Sequence, residues 1–384
     1  MAITINSSLK RQAVIADHLT ALSRIMSPLK AFSRAHNDVP LQGTNKIAVP
    51  YIPLENSTSV DFVAANGYVA GDATVSAKEI TVNKRKYQSL GNDSETHSRQ
   101  PYTMTDELIQ AKLEKLCFDV MSDIMSAITI SNFAALTAVT GVAATDVLTS
   151  TNHGLTTGQR VDVVAITGGA GITAGAITFA IVVSSSEFKL ATTAANALAG
   201  TAIDFTTNIT AATLSQSTGF TGAASGFGIS SIGALRKVAV DCNYPESRRA
   251  IVLNSSFDQF AMVDPAVLNA LNYGSNEAVR EGRVGRVLGF DYYGGKFVPT
   301  NGENLGGFIC LPSALLIGCA PIAPSPAVRT QLNAYEQFTI PDLDIVLSYR
   351  EFADAQKDSD QSIIECSYGY AVGEQAALKR IVTA

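Results

Sequence analysis

The chain has 384 residues, 46% of them hydrophobic and only 16% charged, with a formal net charge of −6. This length is enough for two or three domains, each with its own core. The acidic balance argues against tight, sequence-specific binding of nucleic acid, which requires a basic surface. The N-terminal residues lack the apolar stretch of a secretory signal, and no apolar run is long enough to predict a membrane-spanning helix.

The cysteines predict free thiols. There are five, an odd number, and no two are spaced as a C-x-x-C pair; they are Cys117, Cys242, Cys310, Cys319 and Cys366. Most of them lie in apolar runs. We therefore expect buried thiols in a reducing compartment, and no disulfide framework.

Residues 1–56 have the pattern of an arm. Apolar residues over Gln12–Phe32 recur with helical spacing, and Pro28 is expected to end or kink this helix. Pro40, Pro50 and Pro53 follow among β-branched and aromatic residues, which is typical of an extended edge segment. An arm of this kind would lie along another part of the fold or along a neighbouring subunit.

Residues 57–101 predict a projecting two-stranded β-hairpin. Strand-like pieces occur at Ser59–Val63, Ala73–Val82 and Arg85–Leu90, with glycines between them. A structureless loop of this length would be unusual in a compact domain. Lys84, Arg85 and Lys86 form a basic cluster here, with three interpretations left open: a solvated turn, a charge contact with an adjacent subunit, or a phosphate contact. We take these three residues as candidate inter-subunit contacts.

A long amphipathic helix is predicted over Thr103–Ile130. Its apolar stripe holds Leu108, Leu113, Leu116, Cys117, Val120, Met121, Ile124, Met125 and Ile128. Charged residues lie mostly on the other faces, which is helical periodicity over about seven turns. Pro101 precedes the helix, and Thr103 with Asp106 has the spacing of a capping box.

Residues 138–218 predict a small all-β sandwich or barrel. Four strand patterns follow one another with glycine-rich turns between them: VDVVAI, AITFAIVV, EFKLAT and AIDFTT. His153 is expected to be a turn residue that hydrogen-bonds locally. Gly169–Ala174 formally matches a dinucleotide-binding turn, but the following residues have strand character where such a site needs a helix.

Residues 219–330 have a mixed α/β pattern, and residues 331–384 return to strands. Helices are predicted over Ser230–Val240, over NSSFDQFAM and over DPAVLNAL, and a strand over Arg249–Leu253. The run GFICLPSALLIGCAP predicts a strand that leads into a short helix. Two later runs, LDIVLSYREFAD and SIIECSYGYAV, are expected to pair as antiparallel neighbours across a polar turn.

No catalytic or ligand-binding motif is present. The four histidines are scattered, and we find no H-E-x-x-H, G-x-S-x-G or Walker pattern. We therefore predict no catalytic residue, no metal ligand and no cofactor. An enzyme whose site is assembled from distant loops stays open as an alternative.

The order of these parts resembles the major capsid proteins of tailed double-stranded DNA phages, which have the Hong Kong 97 fold. The phrases that carry the resemblance are AIVLNSSFDQFAMV, RVLGFDYYGGKFVPT and GFICLPSALLIG. The resemblance implies an α+β fold with these parts: an N-terminal arm (1–56), an extended β-hairpin loop (57–101), a peripheral domain with a spine helix (102–137), an inserted all-β domain (138–218), an axial domain (219–330) and return strands of the peripheral domain (331–384).

The resemblance also implies a function. The chain would be a structural protein, not an enzyme, that assembles through hexamers and pentamers into an icosahedral shell around the phage genome. It would be assembled in the host bacterial cytoplasm and located in the virion capsid. Implied partners are a separate scaffolding protein, a portal, a decoration protein and, without specific binding, the packaged DNA; no membrane is expected. Two rivals stay open: the shell protein of a bacterial nanocompartment, and a phage tail or decoration protein.

Overall fold

A computed structural model of the chain describes residues 19, 22–23, 25–36, 45–51, 76–93, 102–133, 135–151, 153, 155–265, 285–295, 298–341, 343–354 and 358–383. These residues form two compact units. The first contains the described residues up to Ile124 together with Leu315–Gly373, and the second contains Met125–Ala314 and the residues from Glu374 onwards. The predicted strand at Ser59–Val63 and most of the predicted segments 12–24, 37–44 and DPAVLNAL lie outside the described residues.

The strands within these ranges, in chain order, are β1 (Ser33–His36), β2 (Lys46–Tyr51), β3 (Ser76–Thr81), β4 (Lys84–Asp93), β5 (Ala135–Val142), β6 (Val147–Thr149), β7 (Arg160–Gly168), β8 (Ile177–Val182), β9 (Glu187–Ala191), β10 (Ile209–Ser215), β11 (Thr218–Thr221), β12 (Ala250–Leu253), β13 (Arg286–Val287), β14 (Phe290–Gly294), β15 (Leu305–Cys310), β16 (Leu315–Cys319), β17 (Ala334–Ile340), β18 (Ile345–Asp354), β19 (Ser359–Val372) and β20 (Leu378–Val382). The helices with both ends in these ranges are α1 (Pro28–Phe32), α2 (Tyr102–Met125), α3 (Ala194–Leu198), α4 (Ile229–Asp241), α5 (Ser255–Val263) and α6 (Pro326–Arg329).

The first unit is built on a six-stranded sheet in the order β1-β16-β19-β18-β17, with β4 also paired to β19. The strand β19 organises it. One edge of β19 pairs with β18, and the other pairs with β4 over residues 359–368 and with β16 over residues 368–372. The antiparallel pairing of β18 with β19 confirms the sequence prediction. All five residues of β16 are buried, as expected for an internal strand.

The helix α2 has 24 residues, so it is about 36 Å long at roughly 1.5 Å per residue. The long helix is therefore confirmed, and it ends at Met125, before the predicted Ile130. Its buried residues include Leu113, Leu116 and Val120 from the predicted stripe. One assignment was wrong: Leu108 is exposed and its neighbour Ile109 is buried. In the first turns of the helix, the spacing of apolar residues alone does not decide whether Leu108 or Ile109 belongs to the buried stripe.

The described strands of residues 57–101 do not form the predicted hairpin with each other. Strand β3 pairs with β2, which lies before residue 57, and β4 joins the main sheet through a ten-residue ladder on β19. The pair β2–β3 packs on the main sheet through a small apolar cluster of Ile47, Val49, Ile80, Leu316 and Ala320. Pairing with the long β19 gives β4 more ladder hydrogen bonds than the short β3 could supply.

The N-terminal segment contributes to the core of the first unit. Leu22, Met26, Leu29 and Phe32 are each at most 1% exposed. The described residues 19, 22–23 and 25 are helical, residues 26–27 form a turn, and Pro28 begins the next helix, α1, so the predicted interruption of the helix at Pro28 is confirmed. The chain then continues as β1, which pairs in parallel with β16.

The second unit contains a six-stranded sheet in the order β11-β20-β15-β12-β14-β13. Helices α4 and α5 and strand β12 lie where the sequence predicts them. The last strand, β20, is inserted between β11 and β15. The predicted short helix within GFICLPSALLIGCAP was wrong, because Leu315–Cys319 is the buried strand β16 of the first unit. Its unbroken apolar run fits a buried strand as well as a buried helix.

Six strands between residues 135 and 215 close into a barrel in the order β10-β5-β6-β9-β8-β7. Its core includes Val139, Leu148, Val161, Phe188 and Leu214. The predicted strands VDVVAI, AITFAIVV and EFKLAT are confirmed as β7, β8 and β9. The fourth, AIDFTT, was wrong, since residues 202–207 form a loop and the strand follows as β10.

The cysteines are all free thiols, and four of them are buried. Cys242 is the exception, with intermediate exposure. Burial raises the pKa of the Cys117 thiol to about 12, with the nearby Glu114 adding to the effect. Such a thiol is inert at neutral pH, which agrees with a structural role.

Candidate inter-subunit surface

The alternation of β4 divides the predicted basic cluster between two faces of the sheet. Lys84 and Lys86 are half-buried, whereas Arg85 and Tyr87 are exposed on the opposite face. This follows from the two-residue period of a strand, which sends successive side chains to opposite sides. The three basic residues therefore do not act as one patch.

Lys84 forms a polar cluster with α2 and β19. Its Nζ donates to Asp123 Oδ2 at 2.8 Å and to Tyr370 Oη at 2.8 Å. The Tyr368 hydroxyl donates to the same oxygen of Asp123, also at 2.8 Å. Burial lowers the pKa of Lys84, but the hydrogen bonds of Lys84 to Asp123 and Tyr370 more than offset this effect, so the pKa lies above its ordinary value. Burial raises the pKa of Asp123, yet the hydrogen bonds from Lys84 and Tyr368 hold it below its ordinary value.

Lys86 contacts the same helix. Its Nζ donates to the backbone carbonyl oxygen of Asp119 at 2.7 Å. About two turns closer to the start of α2, Lys112 Nζ reaches Gln88 Oε1 at 3.5 Å. These contacts attach the half-buried face of β4 to α2 at three points, so Lys84 and Lys86 have partners within their own chain.

Arg85 belongs to an ionic network on the other face. Its Nε donates to Glu365 Oε2 at 2.7 Å, and Arg350 Nη2 lies 2.6 Å from Glu365 Oε1. The Glu365 side chain is 1% exposed, while that of Arg85 is 47% exposed. A buried carboxylate held by two guanidinium groups is compensated in charge. Arg85 thus has both an internal partner and a solvent-facing surface.

Tyr87, which the sequence analysis did not select, is 61% exposed on the same face as Arg85. Exposed tyrosine and arginine side chains are frequent anchors of protein interfaces. Arg85 and Tyr87 are two residues apart on a strand, so the alternation of side chains could have placed them together on one face. Contact with another copy of the chain stays a prediction, now centred on Arg85 and Tyr87.

The other positions considered as ligand sites, His153 and the glycine turn at Gly169–Gly171, have structural roles. His153 Nδ1 accepts a hydrogen bond from the Leu155 amide at 3.0 Å, which is the local hydrogen bond that was predicted. The residue is buried, and its Nε2 lies 2.9 Å from the carbonyl oxygen of Ser184, which is 31 residues away. The glycine turn at Gly169–Gly171 leads into strand β8, not into a helix. Among the described residues, no group of three or more histidine, cysteine or carboxylate side chains could hold a metal ion. No helix in those ranges is long and apolar enough to cross a membrane.

Comparison with known proteins gives structural likeness without sequence likeness. No family model and no curated protein sequence matches the chain. A capsid structure of the cyanophage P-SCSP1u is 13% identical over 92% of this chain and 86% of that chain, with a TM-score of 0.48. The bacteriophage PhiM1 mature capsid is 11% identical over 93% and 86%, with a TM-score of 0.46. A structure from Mycobacterium phage Che8 is 12% identical over 93% and 90%, with a TM-score of 0.44.

Proposed function

We propose that this chain is the major structural subunit of an icosahedral phage capsid that encloses double-stranded DNA. The observation that carries the proposal is the order in which the chain supplies strands to its two sheets. In the first unit, β4, which precedes the long helix α2 in the chain, pairs with β19, which follows it. In the second unit, the sheet is completed by the last strand, β20.

This order supports the parts that the resemblance implies. The return strands of a peripheral domain would be β17, β18 and β19, with α2 as the spine helix. The axial domain would be the sheet of β11–β15, closed by the C-terminal β20. We propose that residues 1–56 and 57–101 act as the arm and the extended loop, with β3 and β4 as the base that attaches the loop to the body.

The closed barrel fits the role of an inserted domain. Ala135 at its beginning is the register partner of Ser215 at its end, so the chain enters and leaves at one place. A module with adjacent ends can be inserted without separating the elements on either side. We propose that it faces outward from the shell, where it would not compete with packaged DNA for space.

The charge of the chain supports a wall that does not grip DNA. A net charge of −6 provides few counterion-releasing contacts, so proximity to the genome would be non-specific. We propose hexamers and pentamers as the assembly units, with a scaffolding protein, a portal and a decoration protein as further partners. Assembly would occur in the bacterial cytoplasm and the final location would be the virion capsid, with no catalytic role for the chain.

The test is cryo-electron microscopy of the expressed protein, alone and with its scaffolding protein, with the nucleic acid and protein content of any particles assayed. We expect closed particles of icosahedral symmetry in which α2 runs roughly tangential to the shell. Particles that hold a cargo enzyme and no DNA would instead indicate a nanocompartment. A protein that stays monomeric under all of these conditions would contradict the proposal.

A further inference from the structure

A pocket of about 460 Å³ opens in the second unit, beside the turn that joins β13 to β14. Three arginines line it, namely Arg236 from α4, Arg249 immediately before β12, and Arg286 from β13. Among the described residues that line it, Glu246 is the only carboxylate. Positive charge thus gathers at one place in a chain that is acidic overall.

Arg249 forms the floor of this arginine pocket. Its side chain is 1% exposed, with Nε donating to the Gly289 carbonyl oxygen at 3.2 Å and Nη2 to Glu246 Oε1 at 2.9 Å. The remaining nitrogen, Nη1, is buried and has no hydrogen-bond partner among the described residues. Arg249 therefore places a buried positive charge at the floor of the pocket, and its carboxylate partner Glu246 lies on the exposed rim.

The two other arginines, Arg286 and Arg236, are only partly paired with carboxylates of the chain. Arg286 Nη2 donates to the backbone carbonyl oxygens of Glu246 and Gly289, which fixes the guanidinium at the pocket. Arg286 also forms a long ion pair with Asp291, whose Oδ1 lies 3.6 Å from Nε. Arg236 Nη2 lies 3.5 Å from Glu246 Oε1, a long contact with a carboxylate that Arg249 already engages. One rim carboxylate, 70% exposed, therefore serves two arginines.

The turn beside the pocket is shaped for the approach of Arg249. Leu288 and Gly289 both have positive φ, at 46° and 86°, which gives the tight connection of a two-residue hairpin. A Cβ atom on Gly289 would lie 2.7 Å from Arg249 Nη2, so only glycine leaves room for the guanidinium. On another side, the Phe290 ring lies 5.3 Å from Arg249 Cζ. The arginine is thus held in place before any ligand binds.

We propose that the arginine pocket binds a phosphate-type oxyanion. A phosphate group offers several acceptor oxygens in a tetrahedral arrangement, which can take hydrogen bonds from the guanidinium groups of Arg249, Arg236 and Arg286 that line the pocket. Arginine forks suit phosphate in geometry as well as in charge. Three guanidinium groups face two carboxylates, Glu246 on the rim and Asp291 beside Arg286, so the excess of positive charge suits an anion. The inference concerns the single subunit and does not depend on shell assembly.

The test is isothermal titration calorimetry of the full chain with sodium pyrophosphate. We expect saturable binding that Arg236→Gln and Arg286→Gln each weaken by roughly tenfold or more, since each removes a charge-assisted hydrogen bond. Glu246→Gln should bind more tightly than the natural protein, because it removes the competing carboxylate. Arg329→Gln, at an exposed arginine in α6, is the matched control and should leave the affinity unchanged.

Two further arms identify the source of the phosphate. A short DNA duplex that competes with pyrophosphate in the natural protein, and loses this ability in Arg236→Gln, would identify the nucleic-acid backbone. Failure of the duplex to compete would identify free phosphate or a small phosphate ester. The proposal is overturned if pyrophosphate gives no saturable heat, if Arg329→Gln weakens binding as much as Arg236→Gln, or if Glu246→Gln weakens it.

Discussion

At the scale of single residues, Asp123 joins three elements of the first unit. It lies on α2 and accepts hydrogen bonds from Lys84 of β4 and Tyr368 of β19. Its side chain is 22% exposed, so the pair with Lys84 is partly shielded from water. Such a shielded, doubly bonded carboxylate should contribute more to stability than an exposed ion pair.

We predict that Asp123→Asn lowers the free energy of unfolding at pH 7 by about 1.5–3 kcal/mol, the range for hydrogen bonds to a charged group. The pKa of Asp123 is lowered in the folded state, so its contribution is complete above the ordinary carboxyl pKa and is lost as the pH falls through the folded value. The difference between the natural protein and the variant should therefore shrink below pH 3.8. Urea denaturation followed by circular dichroism across this range measures it.

Asp119→Asn is the matched control for this prediction. The Asp119 carboxylate pairs with Lys115 on the same face of α2, and both side chains are substantially exposed. An exposed pair of this kind contributes only about 0–1 kcal/mol. The contact from Lys86 uses the Asp119 backbone oxygen and would survive the change. Equal losses in the two variants would contradict the special role of Asp123.

For the basic cluster of Lys84, Arg85 and Lys86, the direction of each side chain could be predicted from the sequence, but its partner could not. The residues are adjacent, so their presence on one strand and the alternation of their side chains could be predicted from their spacing. Their partners could not, because Glu365 follows Arg85 by 280 residues and no local pattern links them. Reversing all three charges would therefore disturb internal contacts as well as any contact between subunits.

At the scale of elements, the approach of β3 to β19 depends on Gly369. A Cβ atom at this position would lie 2.1 Å from the Thr81 carbonyl oxygen, a backbone atom that cannot move alone. We predict that Gly369→Ala destabilises the first unit by about 1–3 kcal/mol through overpacking. Gly91→Ala on β4 is the control, because nothing lies within 4 Å of its Cβ position. Thermal melts of both variants test this, and an unchanged melt of Gly369→Ala would refute it.

The barrel is predicted to fold without the rest of the chain. It closes on itself and has its own apolar core, so residues 134–216 expressed alone should give a β-type circular dichroism spectrum and a cooperative melt. Phe188→Ala should lower its stability by about 3–5 kcal/mol, since the ring is fully buried in that core. Lys189→Ala, at the next and less buried position, is the control. A disordered spectrum for the natural segment would refute an independent module.

Elements with strong periodicity were predicted correctly, and their partners often were not. The helix α2 and the strands β7, β8 and β9 carry their periods within one segment. The pairing of β4 with β19 and of β3 with β2 depends on which distant strand offers the longer ladder or the better apolar surface. The run Leu315–Cys319 is apolar throughout, so its environment alone makes it a strand.

At the scale of the whole molecule, the N-terminal segment has two parts with different expected roles. Leu22, Met26, Leu29 and Phe32 are buried in the first unit, and Ser33 begins a strand of the main sheet. Removing residues 2–33 would therefore expose core side chains of the unit itself. Loss of shells in that truncation would not distinguish a failure of folding from a failure of assembly.

The sharper test of assembly removes residues 2–18, which leaves every described residue in place. If these residues contact neighbouring subunits, the truncated chain should keep the circular dichroism spectrum and melting temperature of the natural protein and yet form no closed shells. Shell assembly adds many weak contacts over a closed lattice, so loss of one contact per subunit is multiplied across the particle. Negative-stain microscopy and light scattering of both proteins at equal concentration measure the outcome. Normal shells from the truncated chain would show that these residues are not needed between subunits, and a lowered melting temperature would assign them to the fold of the subunit itself.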